Sequence, residues 1–173
     1  ISLIPTTDIV SWGGSLTLNE IGLLEKLKEL NYKIIDRDSA TSNEERQKLM
    51  RSSLNCDTFL MSSNAITQDG HLFNIDGLGN RLAALCYGPK SILIIAGMNK
   101  VVKNLDEAYA KVRNFTAPVN SQRFSGSDVP CLINGKCSDC LNPNSICCQF
   151  LSTRICKTSK RIKIILVNED LGI

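Results

Sequence analysis

The longest apolar run in the sequence is SILIIAGM, at residues 91–98. It is far too short to span a bilayer, but it has the usual length of a buried strand. Apolar and polar residues do not alternate within it, and such runs are typical of parallel strands that helices cover on both faces. We therefore predict a central parallel strand here, which indicates an α/β protein.

The segments around this run alternate between strand-like and helix-like patterns. Further strands are predicted at residues 8–12, 33–36, 56–61, 71–76 and 161–167. Helices are predicted at residues 17–31, 42–54, 79–87 and 104–117. Capping boxes begin the first two helices, at Thr17 with Glu20 and at Ser42 with Glu45, and Pro118 ends the last one. The alternation predicts a three-layer α/β fold, a mostly parallel sheet with helices on both faces.

Length and composition are those of an ordinary globular domain. The chain has 173 residues, 43% of them hydrophobic and 21% charged, so we expect a single domain over residues 1–173. The net charge of +3 is too small to indicate a nucleic-acid or membrane partner. The sequence starts at Ile1 without a signal-peptide pattern, so we expect a missing N-terminal segment.

Polar residues follow the ends of four predicted strands, where open α/β sheets bind their ligands. The candidates for ligand binding or catalysis are Gly13, Gly14, Ser15, Thr17, Asn64, Asn99, Lys100, Glu169 and Asp170. The first four precede a helix whose free amides favour an anion. Lys100 is the candidate for neutralising charge, and Glu169 for acid/base work. Each position alone also fits an ordinary turn, but agreement at four strand ends favours a ligand site.

A further candidate is the turn DGLGNR at residues 76–81. It lacks the third glycine of a dinucleotide fingerprint, so its glycines are predicted to shape a turn that presents Asp76, Asn80 and Arg81. Arg81 is suited to holding a carboxylate through two hydrogen bonds, and equally to an ordinary surface ion pair. The turn therefore adds three residues to the predicted anion site.

Six of the eight cysteines crowd into residues 131–156. Four of them have the spacing C-x5-C-x2-C-x6-C within a predicted insertion at 125–148: Cys131, Cys137, Cys140 and Cys147. Four thiolates with one tight pair hold a [4Fe-4S] cluster or a zinc ion, and the single Cys-x-x-Cys pair slightly favours the cluster. Unligated thiols are the third alternative, with Cys148 and Cys156 as bystanders or alternative ligands. Local clustering favours a reducing compartment, so we expect a cytoplasmic protein.

Five strings spread along the chain carry a family signature: SWGGSLTLNEIGLLEKL (11–27), SSNAITQDGHLFNIDGLGNRLAAL (62–85), IAGMNKVVKNLDEA (95–108), PCLINGKCSDCLNPNSIC (130–147) and ILVNEDLG (165–172). They resemble the lactate-utilisation, or LUD, domain family in its short stand-alone form with a cysteine-rich loop. The resemblance implies a fold of the NagB/RpiA/CoA-transferase-like group, whose members bind sugar phosphates, acyl-CoA or related anions at strand ends. It also implies a helical segment ahead of the first strand.

The resemblance further implies a link with the multi-subunit iron-sulfur complexes that oxidise L-lactate to pyruvate, and hence a redox protein partner. The chain lacks the ferredoxin-like Cys-x-x-Cys-x-x-Cys run expected of the main electron-carrying subunit. Two functions are therefore predicted side by side. One is a protein that binds a small anionic metabolite and carries an iron-sulfur cluster; the other is a non-catalytic zinc-bound or metal-free ligand-binding or accessory subunit. The sequence leaves open whether the protein is an enzyme, and what its oligomeric state is.

Overall fold

A computed structural model of the protein describes residues 1–124, 126 and 128–173. Ser125, the predicted first residue of the cysteine-rich insertion, lies outside the described residues. The strands are β1 (Ile9–Trp12), β2 (Lys33–Ile35), β3 (Thr58–Met61), β4 (Ala65–Thr67), β5 (Leu72–Asp76), β6 (Ser91–Gly97), β7 (Val101–Val102), β8 (Gln149–Thr153) and β9 (Ile162–Val167). The helices are α1 (Leu16–Glu20), α2 (Leu23–Glu29), α3 (Asn43–Ser52), α4 (Asn80–Tyr87), α5 (Leu105–Lys111), α6 (Ala117–Ser121) and α7 (Pro130–Asn134). None of these helices is long and apolar enough to cross a membrane.

The chain divides into two compact units. Unit 1 comprises Ile1–Ser62, Asn80–Met98 and Cys156–Gly172, and unit 2 comprises Ser63–Gly79, Asn99–Ile155 and Ile173. A five-stranded sheet belongs to unit 1 and a four-stranded sheet to unit 2. The single domain over residues 1–173 stays a prediction.

The sheet of unit 1 has the strand order β2-β1-β3-β6-β9, and all of its pairs are parallel. Every residue of β3 is buried, as is every residue of β6 except Ser91. The expectation drawn from residues 91–98 is confirmed, because a strand that is covered on both faces needs apolar side chains on both. The α/β class with a mostly parallel sheet is therefore confirmed as well.

The first predicted helix differs from its sequence pattern at both ends. Ser15 is the N-cap instead of Thr17, and its Oγ accepts a hydrogen bond from Leu18 N at 3.3 Å. Thr17 is buried and lies two residues later, as the second residue of α1, so it is not the residue that precedes the helix. The helix then stops before Gly22, whose φ of +63° suits glycine and separates α1 from α2. The continuous helix predicted over 17–31 is therefore wrong.

The sheet of unit 2 was largely missed by sequence reasoning. Its order is β7-β4-β5-β8, and it mixes antiparallel with parallel pairs. Only β5 was predicted. β4 has three residues and β7 has two, so neither is long enough to show the alternation by which a strand is recognised.

Pro118 lies within a helical run instead of ending one. A π-helical turn, Val112–Thr116, follows α5 directly, and α6 continues from it. Pro118 occupies the first turn of α6, where proline is tolerated because its missing N–H is not needed. Such π turns are rare and are found frequently at functional sites. This one carries Arg113.

Arg161 connects the start of β9 to the end of α4 within unit 1. Its buried guanidinium donates to Pro89 O at 2.9 Å and to both Leu85 O and Ala84 O at 2.7 Å. Two of these acceptors belong to the last turn of α4, where helix carbonyls begin to lack backbone partners, although Ala84 O also accepts from Gly88 N at 3.2 Å. One charged side chain therefore donates to carbonyl groups at the end of α4 and connects that end to the sheet.

We expect Arg161→Met to lower the free energy of unfolding by about 3 kcal/mol or more, because three charge-assisted hydrogen bonds are lost and their acceptors stay buried. Urea denaturation measures this difference. Arg154→Met is the matched control, since Arg154 is exposed, and it should change stability by less than about 0.5 kcal/mol. Equal stability of Arg161→Met and wild type would contradict the structural role.

Burial raises the pKa of the Cys56 thiol to about 12. An unfolded cysteine titrates near ~8.5, so the folded state holds this proton more tightly. The resulting stabilisation is complete below about pH 8.5 and is lost as the pH rises toward the folded value. We expect Cys56→Ala to lose stability less steeply than wild type between about pH 8.5 and 10.5, as measured by urea denaturation at each pH. The exposed Cys86 supplies a control: Cys86→Ala should keep the wild-type slope.

Candidate functional site

The glycine turn of unit 1 lies where the strand order reverses. β1 has β2 on one side and β3 on the other, so the crossovers that leave β1 and β3 run in opposite directions. Gly13 follows β1 at this point, and its N–H donates to Leu60 O of β3 at 3.0 Å. Open α/β sheets bind ligands at such a switch point, outside the carboxyl ends of the strands. Gly13 and Gly14 therefore occupy the position that the sequence predicted for them.

Two arginine side chains lie against this glycine pair. A Cβ atom on Gly13 would be 2.9 Å from Arg81 Cδ, and one on Gly14 would be 2.6 Å from Arg37 Nη2. The missing side chains are what allow both arginines to approach the turn. Arg81 also donates from Nη1 to Ser62 O, at the end of β3, at 3.4 Å. Positive charge at the turn thus comes from arginines, whereas α1 has only five residues and a correspondingly small dipole.

Sequence reasoning missed Arg37. It begins a short 3-10 turn, Arg37–Ser39, directly after β2 and the cap residue Asp36. Its side chain is largely buried, with Nη1 3.8 Å from Met50 Sδ and Nε 3.7 Å from Asp38 Oδ1. The rule that ligands bind at strand ends would have identified it had the rule been applied to the strand at 33–36. Arg37 therefore joins Arg81 as a candidate for binding an anion.

Other predicted residues of unit 1 have different surroundings. Thr17 Oγ1 lies 3.5 Å from Ser62 Oγ, so these two hydroxyls meet at the ends of β1 and β3. Asn80 is the first residue of α4 and precedes Arg81. Glu169 and Asp170 follow β9, and both are exposed. An acid/base carboxyl usually needs partial burial, which unit 1 does not give either of them.

In unit 2, the predicted residues Asn64 and Asp76 hold strand ends in place. Asn64 Oδ1 accepts from Ile75 N at 3.0 Å, and Asn64 N donates to the buried Asn74 Oδ1 at 3.1 Å. Asp76 Oδ1 accepts from Gly79 N at 3.2 Å and closes the turn after β5. Both side chains therefore have a structural task, and their ligand roles stay predictions.

Lys100, the one lysine among the predicted site residues, is buried, with 3% of its surface exposed. It ends a 3-10 turn that also contains Asn99, and its Nζ donates to Ile173 O. A buried ammonium group requires strong acceptors, so Lys100 is firmly held within unit 2. Its role in neutralising a ligand stays a prediction.

The four spaced cysteines line one pocket of unit 2, with a volume of about 80 Å³: Cys131, Cys137, Cys140 and Cys147. Ala117, Val129 and Phe150 give it apolar walls. All eight cysteines of the chain are free thiols in the structure. The cysteine spacing thus corresponds to four thiols that share one cavity.

Arg113 supplies the positive charge of this pocket, and sequence reasoning missed it. Its Nε and Nη2 donate to Cys137 Sγ at 3.3 and 3.1 Å, and its Nη1 donates to Tyr109 Oη at 3.1 Å. The guanidinium carbon lies 5.5 Å from the ring centre of Tyr109 and 5.4 Å from that of Phe150. These distances are within the range of cation–π attraction. The predicted helix over 104–117 contained Arg113 but gave no reason to select it.

The donor set of the pocket fits a metal group by its chemistry. Thiolates are soft ligands that suit zinc and iron-sulfur clusters. Burial raises the pKa of Cys147 to about 11, the nearby Arg113 lowers it, and the other three pocket thiols raise it further. Thiolates in this cavity thus repel one another, and a bound cation would offset that repulsion. Among the described residues, however, no three His, Cys, Asp or Glu side chains are grouped so that they could hold a metal ion.

Asparagine side chains order the loop that carries these cysteines. Asp128 Oδ1 accepts from Asn144 Nδ2 at 3.0 Å and from Asn142 Nδ2 at 3.1 Å. The two hydrogen bonds, with that from Asn144 the stronger, lower the pKa of Asp128 below its usual value. These hydrogen bonds therefore connect Asp128, ahead of the loop, to Asn142 and Asn144, which follow Cys140, without a disulfide.

Comparison with known proteins gives a family match and three similar structures. The model described as LUD domain matches residues 1–167. A DUF162 family protein from Deinococcus radiodurans is 12% identical, covering 94% of this chain and 88% of that one, with a TM-score of 0.42. Ribose 5-phosphate isomerase A from Neisseria gonorrhoeae is 14% identical over 60% of this chain and 50% of that one, with a TM-score of 0.38.

Ribose 5-phosphate isomerase A from Methanocaldococcus jannaschii is 18% identical, covering 61% of this chain and 52% of that one, with a TM-score of 0.36. The chain thus spans about half the length of the two isomerases. No curated protein matches the sequence.

Proposed function

Because the chain belongs to the LUD domain family, we propose that its glycine turn binds a small anionic metabolite and that its cysteine pocket holds an iron-sulfur cluster. Membership of this family makes it a lactate-utilisation-type protein, as the five strings of its sequence predicted. The two proposed sites lie in different units.

The approach of two arginines to the glycine pair carries the proposal of anion binding. Arg37 and Arg81 would each be obstructed by a side chain at Gly14 or Gly13. Guanidinium groups match carboxylates and phosphates through paired hydrogen bonds. Their position at the switch point of a parallel sheet is the usual place for a ligand in this architecture. A small carboxylate or phosphate ester therefore fits best.

The shared cavity of four thiols supports the second part of the proposal. Cys131, Cys137, Cys140 and Cys147 would hold the cluster, and when bound it would supply one-electron transfer within a lactate-oxidising system. Ala117 and Phe150 would give the cluster an apolar wall. The free state of all eight thiols supports a reducing compartment and hence a cytoplasmic location.

A binding protein without turnover is the second candidate, and the exposure of Glu169 and Asp170 favours it. In this case the pocket would hold zinc or no metal, and the protein would act as a sensor or accessory subunit. Ile133 and Leu141, which are 76% and 100% exposed on the cysteine-rich loop, would then suit contact with a redox partner. The metal analysis described below separates the two candidate functions.

Anion binding is tested by calorimetric titration with L-lactate, ribose 5-phosphate and acetyl-CoA. We expect Arg37→Met and Arg81→Met each to weaken the binding of the preferred anion by about tenfold or more, because each removes a charged hydrogen-bond donor. Arg51→Met, in which an exposed arginine of α3 is replaced, should bind as wild type does. If none of the three anions binds wild type, or if both variants bind as tightly, the proposed site is wrong.

The cluster is tested by anaerobic purification followed by iron, sulfide and zinc analysis and a visible spectrum. We expect about four iron and four sulfide per chain, as in a [4Fe-4S] cluster, and their loss in Cys140→Ser. Cys86→Ser serves as the control, since Cys86 is exposed on α4 of unit 1. Zinc without sulfide would replace the redox function by the second candidate, and a metal-free wild type would remove both metal assignments.

A further inference from the structure

Arg113 selects one thiol among the four in the cysteine pocket. Two N–H groups of one guanidinium point at Cys137 Sγ, at 3.3 and 3.1 Å. A planar group that donates twice to one atom fixes the direction of that atom as well as its distance. The side-chain conformation of Cys137 is therefore tied to the position of Arg113.

The guanidinium itself is rigidly held. Its side chain is 11% exposed, it lies beside the rings of Tyr109 and Phe150, and its Nη1 donates to Tyr109 Oη. The two rings are stacked with centres 6.0 Å apart. Because the side chain is already ordered by these contacts, little conformational entropy is lost when it orients another group.

The carboxylate that pairs with Arg113 is exposed, although the guanidinium is largely buried. Asp139 forms an ion pair with it, but the carboxylate is 85% exposed, and exposed carboxylates contribute little to such pairs. Cys137 Sγ accepts two hydrogen bonds from the same guanidinium, in the pocket that all four cysteines line. A negative charge that develops on those sulfurs would be the stronger counterpart.

We propose that Arg113 is the positioning residue of a four-thiolate metal centre, in which it orients Cys137 and offsets the negative charge of the ligands. A divalent metal with four thiolates carries a net charge of about −2, and an adjacent guanidinium reduces it. The inference rests on the proposed cysteine site but not on which metal group fills it. Zinc and an iron-sulfur cluster have the same ligand chemistry, because in both a thiophilic metal is bound by thiolates.

The test is an anaerobic titration of the metal-free, reduced protein with Co²⁺, followed by thiolate-to-cobalt charge-transfer absorption. Groups that hydrogen-bond to a metal ligand typically contribute 10–100-fold to metal affinity, so Arg113→Met should weaken Co²⁺ binding by about that factor. Arg113→Lys should recover only part of the affinity, since it keeps the charge but loses the paired donors. Arg123→Met, which changes an exposed arginine of the same unit, should match wild type.

A double variant separates positioning from general stabilisation. If Arg113 acts mainly through Cys137, then Arg113→Met combined with Cys137→Ser should weaken Co²⁺ binding by clearly less than the two single losses combined, because only the effect of its charge on the other thiolates is left to lose. Additive losses would overturn the inference, as would equal Co²⁺ affinity in folded Arg113→Met, Arg113→Lys and wild type. Circular dichroism of the metal-free variants establishes that they are folded.

The outcomes for wild type keep this inference distinct from the proposed function. Failure of wild type to bind Co²⁺ overturns the inference together with the cysteine site. Wild type that binds Co²⁺ with the expected dependence on Arg113, but is purified without iron and sulfide, supports the inference and contradicts only the cluster.

Discussion

Backbone pairing between β3 and β6 is the constraint on which the rest of unit 1 depends. The two strands are covered on both faces, so their N–H and C=O groups have no access to water and must pair with neighbouring strands. The parallel register, in which Phe59 lies opposite Ile92 and Leu60 opposite Leu93, meets this requirement. The strand bodies are therefore mostly apolar, and the glycine turn and the arginines lie at the strand ends.

The sequence revealed unit 1 far better than unit 2, for a physical reason. Long apolar strands and capped helices leave strong local patterns, and Ser42 caps its helix as predicted. The sheet of unit 2 depends instead on pairs between short segments such as β4 and β7, whose partners are distant in sequence. Local pattern contains little information about such pairing. Pro118 misled as well, because it lies in the first turn of α6, where a proline is tolerated, and the helical run extends on both sides of it.

The same division holds for the candidate sites: some residues can be selected from local sequence patterns, and others matter only because of their contacts in three dimensions. Gly13, Gly14 and the four spaced cysteines could be selected from the sequence, since glycine pairs and cysteine spacing are visible there. Arg37 could have been selected by applying the strand-end rule to the strand at 33–36, but nothing in the sequence ranks Arg113 above the other basic residues. Both arginines matter because of the groups that they contact. Arg37 approaches Gly14 in unit 1, and Arg113, which lies on the π turn, donates to Cys137 in unit 2.

The π turn gives the helical run after α5 one residue more than an α-helix of the same direction would hold. A π turn pairs each N–H with the carbonyl five residues earlier, so it is equivalent to one residue inserted into an α-helix. Deleting one residue from Val112–Thr116 would therefore be absorbed by a return to α-helical pairing, and α6 would keep its direction. The residues of the turn itself would take new angles around the helix axis, because each residue of an α-helix turns the chain by about 100°, and Arg113 is one of them. A change in chain length here would thus disturb the contacts of the guanidinium more than the path of the chain into the cysteine-rich loop.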